Sequence, residues 1–283
     1  MPDSKRVIAA VQRAAQLFRA TRGRNGLVID LDAEAQDVLV AGDLHGNLAH
    51  FQALLDRARL DRHPRRHLVL QEVVHGESRY SDGGCKSHQL VDLVSALKCQ
   101  YPDRVHLVLG NHELAELLDR SIIKGGVRSN EMFRQGIQQA YGAAANQILT
   151  AYRELFRSLP LAVRTHNGVF ISHSFPEKSN LDDSFDPLIF QARSIAEISP
   201  DRARSLHDIV WGRDSDAPTA RQFAALVGAQ FLVTGHMPCS EGFRNPNPLQ
   251  LIVDCSRFPA CYCLFSNQHP LTIDELVSNV QSL

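Results

Sequence analysis

The residues best suited to chemistry stand in short polar clusters, each at the end of an apolar run. Val38-Leu39-Val40-Ala41 leads into Gly42-Asp43-Leu44-His45-Gly46-Asn47, and Val105-His106-Leu107-Val108-Leu109 leads into Gly110-Asn111-His112-Glu113. Between them, Leu68-Val69-Leu70-Gln71 gives way to Glu72-Val73-Val74-His75. Later, Val169-Phe170-Ile171-Ser172 ends in His173, and Phe231-Leu232-Val233-Thr234-Gly235 ends in His236. Asp43 and His45 alternate across one residue, so both can face one ion while the flanking glycines permit a sharp turn. Asp, Glu, Asn and His together suit a pair of borderline-hard divalent ions better than a thiolate-bound zinc.

Such residues need elements that deliver them to one place. Runs rich in Val, Leu and Ile at 38–41, 67–74 and 105–109 predict strands, and helical stretches near 48–60, 86–100 and 112–120 alternate with them. That is the βαβ rhythm of a sheet covered by helices, in which ligands gather at the carboxyl ends of the strands. A helical block from about 130 to 158 carries Met132, Phe133, Ile137, Tyr141, Ile148, Tyr152, Leu155 and Phe156 on one face, and the segment at about 125–160 could cap the site. Strands are expected again at 161–165, 168–172, 230–234, 249–254 and 260–265, with helices near 187–197 and 273–280. Asn245-Pro246-Asn247-Pro248 reads as a turn between late strands.

The 283 residues, 44% of them hydrophobic, are enough for one large α/β domain covering 1–283. Residues 5–22 read as an amphipathic N-terminal helix rather than a signal peptide, and no apolar run approaches the ~20 residues of a membrane span. A cytoplasmic protein is therefore expected, with no membrane partner. Thirty basic against 31 acidic residues give a formal charge of -1, which argues against nucleic acid as the main partner. Six cysteines form no CxxC pair and read as reduced, structural thiols.

Taken in order, Gly42-Asp43-Leu44-His45-Gly46, Gly110-Asn111-His112-Glu113, His173 and Gly235-His236 closely resemble the calcineurin-like metallophosphoesterases. The lone His in Gly235-His236-Met237-Pro238 is similar to the phosphoprotein phosphatase branch. Leu206-His207-Asp208-Ile209-Val210-Trp211-Gly212-Arg213 resembles a Trp-containing segment of bacterial-type members. The resemblance covers roughly residues 36 to 265 and implies a four-layer α/β/β/α sandwich with a two-metal site at strand ends. It makes Asp43 and His45 ligands of one ion, Asn111, His173 and His236 ligands of the other, and Glu72 the bridge. The ions would be Mn first, with Fe, Zn, Co or Ni admissible, and would activate a hydroxide for attack on phosphorus.

The same resemblance makes His112 the general acid and Arg213 a catalytic and substrate-binding grip on the phosphate. It implies a metal-dependent phosphatase, foremost a phosphomonoesterase of the protein Ser/Thr or Tyr type, acting on a phosphorylated protein or a small phosphate ester. A nucleotide or dinucleoside-polyphosphate hydrolase stays open, as does a metal- or phospho-ligand-binding module with little catalysis. The second motif departs from the family pattern. Where Gly-Asp-x-x-Asp-Arg-Gly is usual, this chain has Gln71-Glu72-Val73-Val74-His75-Gly76-Glu77. The bridging Asp is a Glu, the Asp that orients the acid is His75, and the phosphate-gripping Arg is Gly76. Arg79, Lys124 or Arg128 is expected to supply the missing cation, with Arg79 the named substrate-binding candidate.

Overall fold

The computed structural model describes residues 3–124 and 127–283. Among them, two sheets form the centre. One has five strands in the order Val280–Ser282, Cys261–Ser266, Asp37–Asp43, Arg66–Gln71 and Val105–Val108, the last three running parallel. The other has seven, ordered Arg24–Asn25, Val28–Asp30, Ala162–Arg164, Val169–Ser172, Phe231–Thr234, Gln250–Val253 and Phe243–Asn247.

Alternation along the strands builds the layers. Val38 and Val40 join Val69, Val163, Val169, Ile171, Val233 and Leu251 in a core between the sheets, while Leu39, Ala41, Leu68 and Leu70 turn outward to helices. A period of two therefore gives one strand two buried faces. The outer face of the five-stranded sheet is covered by helices that include α2 (Leu48–Ala58) and α3 (His88–Gln100); α1 (Ser4–Arg19) packs against α3 and α6 (Ala145–Arg157), and α4 (Asn111–Leu118) and α5 (Ser129–Tyr141) precede α6 in the chain. On the far side Phe223 and Ala220 of the helix Ala217–Leu226 pack with Phe170 and Leu232. The layers are α/β/β/α, as expected.

Helix ends follow local chemistry. Asp3 caps α1 by accepting from the N–H groups of Lys5 and Arg6 at 3.1 and 3.2 Å. The helix stops at Arg19, short of the expected 22, and Thr21 Oγ1 donates back to the Leu17 and Phe18 carbonyls. At the other end of α3, the Lys98 ammonium is buried, donating to Thr21 Oγ1 at 2.8 Å and the Val105 carbonyl at 2.9 Å.

Three expectations need correction. The stretch 187–197 holds only short 3₁₀ turns, Pro187–Gln191 and Ile195–Glu197, because the Phe190 carbonyl accepts from Leu27 N–H at 2.8 Å instead of continuing a helix. Asn245-Pro246-Asn247 lies in an edge strand, where a register irregularity between Arg244 and Asn247 tolerates the proline. The apolar face of α6 (Ile148, Tyr152, Leu155, Phe156) is spent on the core. None of residues 128–160 lines the cleft described below; 125–126 and the side chain of Val127 lie outside the described residues.

Candidate metal centre and cleft

Each expected ligand stands just beyond the carboxyl end of a strand. Asp43 closes Asp37–Asp43, Glu72 follows Arg66–Gln71, His173 follows Val169–Ser172, and His236 follows Phe231–Thr234 by two residues. Asn111 opens α4 after Val105–Val108. The two sheets meet here: a Cβ on Gly42 would overlap the Val253 carbonyl of the other sheet, so glycine permits the close approach that joins both sets of ligands.

Glu72 stands in the middle. Its Oε1 is 3.0 Å from His45 Nε2 and 3.7 Å from His112 Nε2, and its Oε2 is 3.2 Å from His173 Nε2. His173 Nε2 also lies 2.9 Å from Asn111 Oδ1 and 3.2 Å from His236 Nδ1, while the His236 N–H donates to Asp43 Oδ1 at 3.0 Å. Two groups of ligand atoms result, each within 4.8 Å: His45, Glu72, His112, and Asp43, Glu72, His173. Glu72 belongs to both. Asp43 thus groups with His173 rather than with His45, whose ring stands between the Val74 carbonyl, 3.0 Å from Nδ1, and Glu72 Oε1, 3.0 Å from Nε2.

The electrostatics suit cations. Burial and the neighbouring Glu72 charge push the Asp43 carboxyl up to about 6 and Glu113 up to about 7. Burial would also raise Glu72, but His112, His45 and His173 outweigh it and hold Glu72 well below the usual carboxylate range. Burial would lower His173, yet Asp43 and Glu72 keep it at about 9. His236, buried beside His173, falls to about 3. Several polar atoms at this floor have no partner, among them His173 Nδ1, His236 Nε2 and both amide atoms of Gln71. Buried polar atoms left without a partner are costly unless something binds them, and the set of imidazole, carboxylate and amide groups fits divalent ions.

The backbone is strained here too. Among the described residues, six non-glycine positions have φ in the left-handed region, and four of them are His45, Glu72, His75 and His236. Such conformations cost ~1–3 kcal/mol each and persist where the surroundings enforce them. One enforcing contact is Glu113, whose Oε1 accepts from the Val73 and Val74 N–H groups at 2.8 and 3.2 Å and clamps the loop that carries Glu72.

The divergent motif has a structural reason. A Cβ on Gly76 would overlap the His45 carbonyl oxygen, so this backbone has no room for an arginine there. Arg79 does not fill the gap: its guanidinium donates to the Gly76 carbonyl and is not among the cleft-lining residues. Arg128 pairs with Glu131 at the surface at 3.0 Å, and the Lys124 side chain lies outside the described residues. Among the described residues, the lysine and arginines that line the cleft, of about 680 Å³, are Lys86, Arg213 and Arg257. Asp214 accepts from the N–H groups of Lys178 and Asp216 at 3.1 and 2.8 Å, leaving Arg213 exposed at the wall. Trp211 also lines the cleft, edge-on to His236 with centroids 6.3 Å apart.

Sequence reasoning missed Glu113, Glu116, Lys86 and Arg257. Glu116 carries a signal, since it lies four residues after His112 on a helix and so shares its face. Lys86 carries none. A loop closed by the Arg79–Cys85 bridge brings it to the wall.

A model of the calcineurin-like phosphoesterase family matches residues 37–240. The chain is 23% identical over 223 residues to a "probable serine/threonine-protein phosphatase" of Encephalitozoon cuniculi, covering 74% of this chain and 44% of that protein. It is 29% identical over 226 residues to serine/threonine-protein phosphatase T of Trypanosoma brucei brucei, covering 77% and 40%. The chain spans less than half the length of these curated relatives. Among solved structures, a Saccharomyces cerevisiae protein serine/threonine phosphatase with similarity to human phosphatase PP5 superposes with a TM-score of 0.70 at 17% identity, over 93% of this chain and 82% of that one. A cold-active protein-tyrosine phosphatase of a psychrophilic Shewanella species gives 0.55 at 15% identity, over 82% and 76%. These superpositions speak for the shared fold.

Proposed function

Because the chain belongs to the calcineurin-like phosphoesterase family, we propose that it is a two-metal phosphomonoesterase acting on phosphorylated protein side chains. The observation that carries this reading is Glu72, one buried carboxylate common to two groups of ligand atoms. Asp43, His45, Glu72, Asn111, His173 and His236 would hold the ions, with manganese the first candidate. When bound, such ions neutralise charge on the phosphoryl oxygens and lower the pKa of the attacking water.

The chain's own residues do the rest. Arg213 and Lys86 line the cleft and grip the phosphate from its walls, taking the place of the arginine that Gly76 excludes. His112 presents Nε2 beside Glu72 and gives its proton to the leaving oxygen. The cleft of about 680 Å³ has cations beside apolar groups, Lys86 and Arg213 with Ile122, Ile123 and Trp211, which suits a phosphate carried on a protein side chain.

The test is to strip the chain of metal, reload it with manganese, zinc or iron, and assay phosphoserine, phosphothreonine and phosphotyrosine peptides beside a dinucleoside polyphosphate. Metal-dependent release of phosphate from a peptide is expected. A metal-loaded chain that hydrolyses only the polyphosphate, or none of these, refutes the reading.

A further inference from the structure

Behind His112 stand a second imidazole and a carboxylate, in line. His75 Nδ1 is 2.7 Å from His112 Nδ1, and His75 Nε2 is 2.8 Å from Glu116 Oε1. The His75 and Glu116 side chains are fully buried. Glu116 follows His112 by four residues on α4, so both leave the same helix face and His75 fits between them. Farther back, Arg134 Nη2 stands 3.9 Å from Glu116 Oε2 and also pairs with Asp119.

Proton counting gives the row a direction. An ionised carboxylate only accepts, so the hydrogen of the 2.8 Å contact sits on His75 Nε2. A neutral His75 then has a bare Nδ1, and the 2.7 Å contact closes only if His112 Nδ1 donates. His112 Nε2 is left facing Glu72 and the cleft, free to exchange a proton with substrate. Without the carboxylate, His75 can take the other tautomer, donate from Nδ1, and leave His112 Nδ1 bare. Loss of the Nε2 proton from that form would create an imidazolate, so His112 would no longer serve as an acid.

We propose that Glu116, acting through His75, is the positioning residue that holds His112 in its acid-competent tautomer; this rests on the phosphatase reading above. As the bond from phosphorus to the leaving oxygen breaks, its electron pair stays on that oxygen, which takes the Nε2 proton of imidazolium His112. His112 ends neutral, its Nδ1 hydrogen still donated to His75, and a proton from the attacking water recharges it. No proton moves to Glu116.

Two measurements test this. In long-range proton–nitrogen NMR spectra of the zinc-loaded chain, His75 should carry hydrogen on Nε2 alone and His112 on Nδ1. A hydrogen on His75 Nδ1 overturns the proposal, whatever the activity. In Glu116→Gln, whose amide can accept from or donate to His75, the rate with a phosphoserine peptide should fall at least about 10-fold, with a smaller fall for an aryl phosphate and unchanged metal content. An aspartate in place of His75 would set Oδ1 where Nδ1 now stands, since each is one bond from Cγ. His75→Asp/Glu116→Gln should therefore recover about 10-fold over Glu116→Gln alone. Equal losses on both substrates, or no recovery, refutes the relay. A wild type that binds metal yet cleaves neither ester refutes the phosphatase reading and leaves the NMR result to judge the relay.

Discussion

Glu72→Gln is the most direct perturbation of the centre. It keeps the side-chain volume, leaves the strained backbone at φ 37 as it is, and removes only the charge. The scale follows from the distances. A unit charge 3.2 Å away, as at His173 Nε2, interacts with Glu72 by about 5 kcal/mol at an effective dielectric of ~20. A divalent ion doubles that, and retaining only about a third after desolvation leaves ~3 kcal/mol, or a loss of ~100-fold in affinity. The assay is competitive metal titration of the stripped chain, wild type against Glu72→Gln and Glu72→Asp, with phosphatase rates measured alongside. Glu72→Gln should lose at least one ion at metal concentrations that saturate the wild type. Glu72→Asp should keep both more nearly but turn over more slowly, because its shorter reach displaces the reacting groups. Two ions bound with wild-type affinity by Glu72→Gln would remove Glu72 from its central place.

His112→Asn should slow hydrolysis of an alkyl phosphate by ~10²–10⁴ while an aryl phosphate suffers less, and elemental analysis should still find two ions; loss of metal would make His112 a ligand of the His45 group instead. Removing the metals should lower the melting temperature, and restoring them at ~100 times their Kd should return ~2.7 kcal/mol; a midpoint indifferent to metal contradicts the site. Burial pushes Lys98 down to about 7, below its unfolded value of ~10.4, so the unfolded chain binds more protons between those limits. Wild-type stability should rise across that window by up to ~1.4 kcal/mol per pH unit, and denaturation of Lys98→Met should lack that rise; parallel pH curves would show that Lys98 is not the cause.

The positions of the candidate ligands were legible because a strand reads as an apolar run and its end as the place where polar residues begin. Asp43, Glu72, Asn111, His173 and His236 all sit at such ends. Hidden from the sequence were contacts between distant residues. Glu116 meets His75 across 41 positions, and Lys86 reaches the wall only through a loop closed elsewhere. Arg79 was a fair candidate by charge and proximity, but the carbonyl of Gly76, three residues back, holds its guanidinium. The 187–197 segment has helical composition, yet the Leu27 N–H needs the Phe190 carbonyl more than a further turn does. The helical block at 129–157 showed its apolar face without showing that α1 would cover it.

The contact between Gly76 and the His45 carbonyl makes two versions of this site mutually exclusive. An arginine at position 76 needs a Cβ where that carbonyl oxygen stands, so installing it would displace the turn that aims His45. The usual motif therefore cannot be restored one residue at a time: Gly76→Arg alone would be expected to cost metal before it gained any grip on phosphate. A mutational path between this chain and one with the ordinary motif would have to move the His45 turn first. Attempts to raise activity by grafting the missing arginine would do better to work from Lys86 and Arg257, cations that already line the cleft and are held to the neighbouring Ser78 and Glu77.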